Sequence, residues 1–340
     1  MLSSATNPGS VTGVLVSLLL LAGCADDAGT AVLRGTTMGT TYSVQLAAPP
    51  PNLDLEALER DIAERLDAIN ARFSTWDPNS ELSRFNRSRR TDWFDVSAET
   101  CAVVAASLDV GRFTYGSFDI TIAPLVDAWG FGPDDRAEAP PTELIDTLLR
   151  QVGVDKLEAD CAQPALRKQH PELTVDLGGF AKGYAVDSLA ELLARHGSQR
   201  HLVEIGGELK ASGQNALGEP WRIAIESATD TPPIAVVGLT DGGFATSGSY
   251  RNFLTIDGRR HSHLIDPQSG RPIPAGLAAV SVLSDDTATA DALATALMVM
   301  GVDTAKRFAE AQGIPAALQF DDGRRAWVSP AMQPYLNQSP

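Results

Sequence analysis

Leu55, Leu58, Ile62, Leu66, Ile69 and Phe73 recur at steps of three and four, which predicts an amphipathic helix with one apolar stripe. Before it, residues 39–46 (GTTYSVQL) alternate polar and apolar and read as a strand, ended by the prolines at 49–51. A second helix is expected after Ser97, and a third over 138–150, entered through Pro140 and Pro141. From Leu173 onward short strand-like pieces dominate: ELTVDL, HLVEIG, WRIAIE, AVVGL and VSVL. Helices are expected between them at KGYAVDSLAELLARHG, closed by Gly197, and at TADALATALMVMG, closed by Gly301. Asp322-Gly323 predicts a hairpin turn between PAALQF and RAWVS. Asp257-Gly258 predicts another, which would carry His263 into the interior of a sheet. Hairpins interleaved with helices suggest an α+β fold, not a regular βαβ winding.

The amino terminus has a different pattern. Residues 11–22, VTGVLVSLLLLA, form an apolar run of signal-peptide length, too short for a spanning helix. It ends in LAGC, which resembles a bacterial lipobox and implies lipidation of Cys24. The expected organisation is a signal peptide at 1–23, a lipidated cysteine and tether at 24–33, and one domain at 34–335. The expected location is the bacterial cell envelope, anchored to a membrane and facing the periplasm. In such a compartment Cys101 and Cys161 could pair, although sequence alone cannot give their separation. No CxxC or Cys/His spacing suggests a structural zinc.

Composition narrows the partners. The 340 residues are 44% apolar and 21% charged, with a formal charge of −16, which argues against nucleic acid as the main partner. A phosphate-bearing ligand would need a local positive charge, and a divalent cation supplies one. Several segments could build such a site. In ADALAT, Asp291 and Thr295 stand four apart on one helix face, where both can point at a hard cation such as Mg²⁺. In VDLGGFAKGYAVD, a strand ends at Asp176, two glycines follow, and a helix carrying Lys182 begins. Close backbone approach, a helix N-terminus and a lysine together suit an anion. GSFDITIAPLVDAWGFG puts Phe118 and Asp119 at the head of a β-branched run, read either as a strand entering the core or as a pocket for a flat ring. FSTWDPNSELSRFN places Trp76 just before an Asp-Pro turn. GGFATSGSYRNF is not G-x-S-x-G, which weighs against a serine hydrolase. Of the five histidines, His263 has the surroundings best suited to a general base. Taken singly, each feature also fits an ordinary structural role.

Taken together, these segments resemble the ApbE family of FAD:protein FMN transferases. The matching stretches are TMGTTYSV, FSTWDPNSELSRFN, GSFDITIAPLVDAWGFG, VDLGGFAKGYAVD, IGGELKASG, ATSGSYRNF, HSHLIDPQSGRP and ADALATALMVMG, in the family's order across residues 36–301. The resemblance implies an α+β, T-fold-related architecture, with mixed or antiparallel sheets packed against helices and the site between two lobes. It implies Mg²⁺-dependent transfer of FMN from FAD, the substrate, to a threonine or serine hydroxyl of an exported acceptor, releasing AMP. Acceptors of that kind are subunits of Nqr and Rnf complexes or FMN-binding domains. Carried over by position, Met38, Trp76, Ser117, Phe118, Asp119, Asp176, Lys182 and Ile265 would line the FAD site. The Gly179 carbonyl, Asp291 and Thr295 would hold the metal, with His263 as the base. Two positions depart from common family versions: Glu204 replaces an asparagine before the Gly-Gly pair, and Ala294 stands where some members have a second acid. Two other readings remain at this stage, an FAD pyrophosphatase using the same site and a flavin- or solute-binding lipoprotein without turnover.

Overall fold

The alternating run at 40–47 forms one strand of a large antiparallel sheet. A computed structural model describes residues 29–132, 138–228, 232–249, 253–256 and 259–336. The expected signal peptide, Cys24 and the turn expected at Asp257-Gly258 therefore lie outside the described residues. In the first half of the chain the strands are β1 (Thr30–Thr37), β2 (Thr40–Ala47), β3 (Phe94–Asp95), β4 (Leu157–Asp160) and β5 (Ala165–Lys168). They are followed by β6 (His201–Ile205), β7 (Glu208–Ser212), β8 (Trp221–Ile225), β9 (Ala235–Leu239), β10 (Asp241–Gly248) and β11 (Phe253–Ile256). The last are β12 (Arg259–Ser262), β13 (Ile265–Asp266), β14 (Arg271–Pro272), β15 (Leu277–Ser284), β16 (Ala316–Phe320) and β17 (Trp327–Val328). The helices are α1 (Leu55–Phe73), α2 (Glu81–Arg87), α3 (Ala98–Phe113), α4 (Ala123–Ala128), α5 (Thr142–Leu149), α6 (Ala181–Arg195) and α7 (Thr287–Gln312).

Eight strands form the main sheet in the order β1-β2-β6-β7-β10-β15-β16-β17, and every neighbouring pair is antiparallel. The α+β expectation holds, with antiparallel pairing throughout the described strands. α1 buries the stripe Leu58, Ile62, Leu66, Ile69 and Phe73 as its periodicity requires, and Asp54 caps it by accepting from the Ala57 amide. α7 lies between two apolar cores. Its Ala288, Ala292 and Ala296 join the core built by α1, α3, α6 and the β1 end of the sheet. Its Ala290, Leu293, Ala294, Leu297 and Met298 join a second core against β15 and β16. A narrow polar stripe, Asp291 and Thr295, is left facing α6. Within α7 Gly301 leaves the helical conformation (φ 71°, ψ 173°), so the helix breaks where the sequence places its stop.

Four expectations need correction. β1 begins at Thr30, inside the segment read as tether, because residues 30–37 pair in register with β2. Residues 173–177 belong to no strand, although ELTVDL reads as one. The Asn86 side-chain amide donates to the Val175 carbonyl and accepts from its N–H, both at 2.8 Å, and so takes the place of a neighbouring strand. The β-branched run after Asp119 is a turn, not a strand. The Asp119 carboxylate accepts from the Thr121 amide (2.8 Å) and hydroxyl (2.7 Å), and α4 begins two residues later. His263 sits in the bend between β12 and β13, half-buried, instead of inside a sheet. The cysteine pair does close: a disulfide ties Cys101 of α3 to Cys161 in the β4–β5 turn.

Candidate functional site

The site is built where α6 meets α7. Asp176 lies just before the glycine bend, its N–H bonded to the Ile120 carbonyl at 2.7 Å and its carboxylate accepting from the Gly178 amide at 2.8 Å. The chain then bends through Gly178 and Gly179 into α6, whose N-terminus has no side-chain cap. Open amides at a helix start attract anions. At Gly179 a Cβ would lie 3.2 Å from the Phe118 ring and 3.3 Å from the Thr295 hydroxyl, so the bend, the aromatic and the α7 stripe are in contact. Gly183 lets the helices approach: a Cβ there would fall 2.4 Å from the Thr287 carbonyl oxygen.

At the second residue of α6, the Lys182 ammonium lies 3.0 Å from Glu208 Oε1 and 3.5 Å from Asp291 Oδ2. Burial opposes the charge on Lys182, but Asp291 and Glu208 outweigh it and hold the lysine above its ordinary range, as an ammonium. Burial pushes the Glu208 carboxyl above its ordinary range, the Lys182 ammonium draws it back down, and Asp291 pushes it further up. Burial also raises Asp176, against the Gly178 amide and Lys182. Asp291 is almost fully buried yet contacts only part of the ammonium, one turn before the Thr295 hydroxyl. An acid, an alcohol and the backbone carbonyl of a glycine bend make an all-oxygen set suited to Mg²⁺. The residues present fit that ion.

A second wall comes from the segment between α3 and α5. Phe118 and Asp119 are buried and Ser117 is half-buried, and burial raises Asp119 despite the two opposing bonds from Thr121. Trp129 donates its indole N–H to the Gly270 carbonyl at 2.8 Å and stacks on His261 with ring centroids 5.6 Å apart. Phe131 meets His263 edge to face at 6.3 Å. Ile265 is buried in the same cluster as Leu125 and Trp129. The 117–131 segment thus touches the glycine bend at one end and the His263 bend at the other. Met38 and Gly39 form the two-residue β1–β2 turn with φ of 49° and 73°, a conformation that Met rarely adopts. Trp76, 70% exposed, stands on the loop between α1 and α2.

Residues 38–318 match the model of the ApbE family. The chain belongs to the ApbE family. It is 41% identical over 329 residues to an FAD:protein FMN transferase of Vibrio cholerae, covering 95% of this chain and 98% of that one. An Escherichia coli K12 protein of the same name is 39% identical over 315 residues, covering 90% and 89%. Among solved structures, the flavin transferase ApbE from Vibrio cholerae superposes with a TM-score of 0.83 at 40% identity, over 90% of this chain and 99% of that one. The apo flavinyl transferase ApbE of Pseudomonas stutzeri gives 0.83 at 35% identity, over 92% and 98%.

Against the ApbE pattern, Phe118, Gly179, Lys182, Asp291 and Thr295 converge, with Asp176 in the same bend. Ile265 and His263 line the adjoining wall. Glu204, the first departure, accepts from the Gly207 amide at 2.8 Å and so closes the Gly-Gly turn. Ala294, the second, is fully buried in the α7–β15 core, on a different face from Asp291 and Thr295. Two residues were missed. Glu208 lies in IGGELKASG, a matched stretch, but a strand acid gives no sign of pointing inward. Asp187 caps α7 from α6, its two oxygens accepting from the Thr287 and Ala288 amides at 2.9 Å each, a contact across about a hundred residues.

Proposed function

We propose that this chain transfers FMN from FAD to a threonine or serine hydroxyl of an exported acceptor protein, in a Mg²⁺-dependent reaction that releases AMP. The observation that carries this reading is the meeting of Lys182, Asp291, Thr295 and the Gly179 bend at one point in an otherwise acidic protein. Asp291, Thr295 and the Gly179 carbonyl would hold Mg²⁺, which supplies charge neutralisation on the diphosphate when bound. Lys182 and the open amides of α6 add fixed positive charge beside it. Met38, Trp76, Ser117, Phe118, Asp119, Asp176 and Ile265 would seat the dinucleotide. His263 takes the proton of the acceptor hydroxyl. The acceptor oxygen forms a bond to the FMN-side phosphorus, the bridging P–O bond breaks, and AMP leaves with the bridging oxygen.

Export fits the Cys101–Cys161 disulfide, which persists in oxidising compartments. Lipidation at Cys24 would hold the domain at a membrane facing the periplasm. Among the described residues no helix is long and apolar enough to cross one. Suitable acceptors would be Nqr- or Rnf-type subunits or FMN-binding domains. The test incubates the protein with FAD, Mg²⁺ and such an acceptor and looks for a fluorescent acceptor band that survives denaturation. The expected result is a band that EDTA abolishes. FMN and AMP without a band would assign an FAD pyrophosphatase instead, and no turnover would leave a binding protein.

A further inference from the structure

Glu208 opens β7, and its side chain is only 4% exposed. Its Oε1 holds Lys182 at 3.0 Å, while its Oε2 is buried with no hydrogen-bond partner among the described residues. A buried carboxylate with an unmet acceptor is costly, and an amide or an apolar side chain would fill the same space at lower cost. The backbone is shaped to bring this acid close. Gly206 and Gly207 have φ of 63° and 107°, and a Cβ at Gly206 would come within 2.9 Å of Thr40 Cγ2 and 3.5 Å of Glu208 Oε2. The next residue fixes the strand against α7, its Leu209 carbonyl accepting from the Thr287 hydroxyl at 3.1 Å. Glu208 is thus held at a set height beside the helix that carries Asp291.

We infer that Glu208 is a positioning residue: it holds the Lys182 ammonium at the glycine bend and keeps it from closing on Asp291. This rests on the metal site proposed above. The Lys182 ammonium lies closer to Glu208 than to Asp291, at 3.0 Å against 3.5 Å. Without Glu208, Asp291 is the one acid left in ion-pair contact with Lys182 among the described residues, and a closer Lys182–Asp291 pair would occupy the carboxylate that has to hold the cation. Glu208 therefore acts on the metal through Lys182, without itself touching metal or substrate.

The test is Mn²⁺ binding to the full protein without FAD, followed by the free-ion EPR signal, in a double-mutant cycle. Glu208→Gln is expected to weaken Mn²⁺ binding by about ten- to a hundredfold, the range for residues that orient metal ligands. Lys182→Met is expected not to weaken it, and adding Glu208→Gln to Lys182→Met is expected to cause no further loss. Wild-type affinity in Glu208→Gln would overturn the inference. So would an equal loss from Glu208→Gln with and without Lys182. Asp291→Ala separates the two levels: if it too binds Mn²⁺ normally, the metal site itself is wrong. Should Glu208→Gln fail to fold, Glu208→Asp keeps the charge but shortens its reach. Weakened Mn²⁺ binding by that variant supports the inference, and unchanged binding overturns it.

Discussion

At position 263 an imidazole stands half-buried against the edge of Phe131, beside the wall that holds Ile265. If it is the base, His263→Ala lowers the transfer rate by about 10²–10⁴-fold and leaves FAD affinity within a few-fold of wild type. Single-turnover rates and a flavin binding titration check this, and a normal rate would move the base elsewhere. His201 makes a different point about burial. It is 1% exposed, and burial pushes its pKa from 6.5 down to about 4, against a weaker opposing contact with the Ser198 backbone. Above pH 6.5 it is neutral in both states. As pH falls from there, the unfolded chain takes the proton and the native state does not, so stability is lost on acidification. The loss comes to about 2 kcal/mol by pH 5. Urea unfolding at pH 7.5 and pH 5 should show that His201→Leu removes about that much of the difference between the two conditions. An identical difference in the variant would assign the acid sensitivity to other groups. The candidate base could be picked out in the sequence by its surroundings, but the inert histidine could not, since only packing distinguishes them.

Two helices decide the geometry of the site, and both could be read in part from the chain. The Asp291–Thr295 spacing put both side chains on one face of α7, and the structure aims that face at the Gly179 bend. Sequence could not show what holds α7 in place. Asp187 reaches its first-turn amides from α6, and Gly183 lets the two backbones meet. Neither contact has a local signature. The misread strands have the same origin: the Asn86 amide at Val175 and the Asp119 turn at Thr121 override extended or β-branched patterns with side-chain hydrogen bonds. The helix contact gives a sharp test. Gly183→Ala puts a methyl 2.4 Å from the Thr287 carbonyl oxygen, so the helices have to separate. We expect a loss of about 1–3 kcal/mol in chemical denaturation, with weaker metal binding as Asp291 moves away from the bend. Unchanged stability would mean that the α6–α7 contact is loose.

Across the whole molecule, one covalent link and one charge problem stand out. The disulfide joins residues 60 apart, and the entropy of closing such a loop stabilises the fold by about 4 kcal/mol. Cys101→Ala with Cys161→Ala should lower the denaturation midpoint accordingly, and an unchanged midpoint would make the link dispensable. The α+β class and the order of the site segments were legible because they depend on local periodicity and motif order. The pairing of β1, the two cores flanking α7 and the inward acid at Glu208 were not, because they arise only when distant segments meet. The charge problem is how a chain of formal charge −16 holds a dianionic diphosphate. The proposed solution is a divalent cation recruited by Asp291 and Thr295 beside Lys182. FAD affinity measured with and without Mn²⁺, in wild type and in Asp291→Ala, tests this most directly. Wild type should bind FAD much more tightly with Mn²⁺, while the variant, still folded, should bind it weakly and equally in both conditions. The same Mn²⁺-driven tightening in Asp291→Ala would contradict the account.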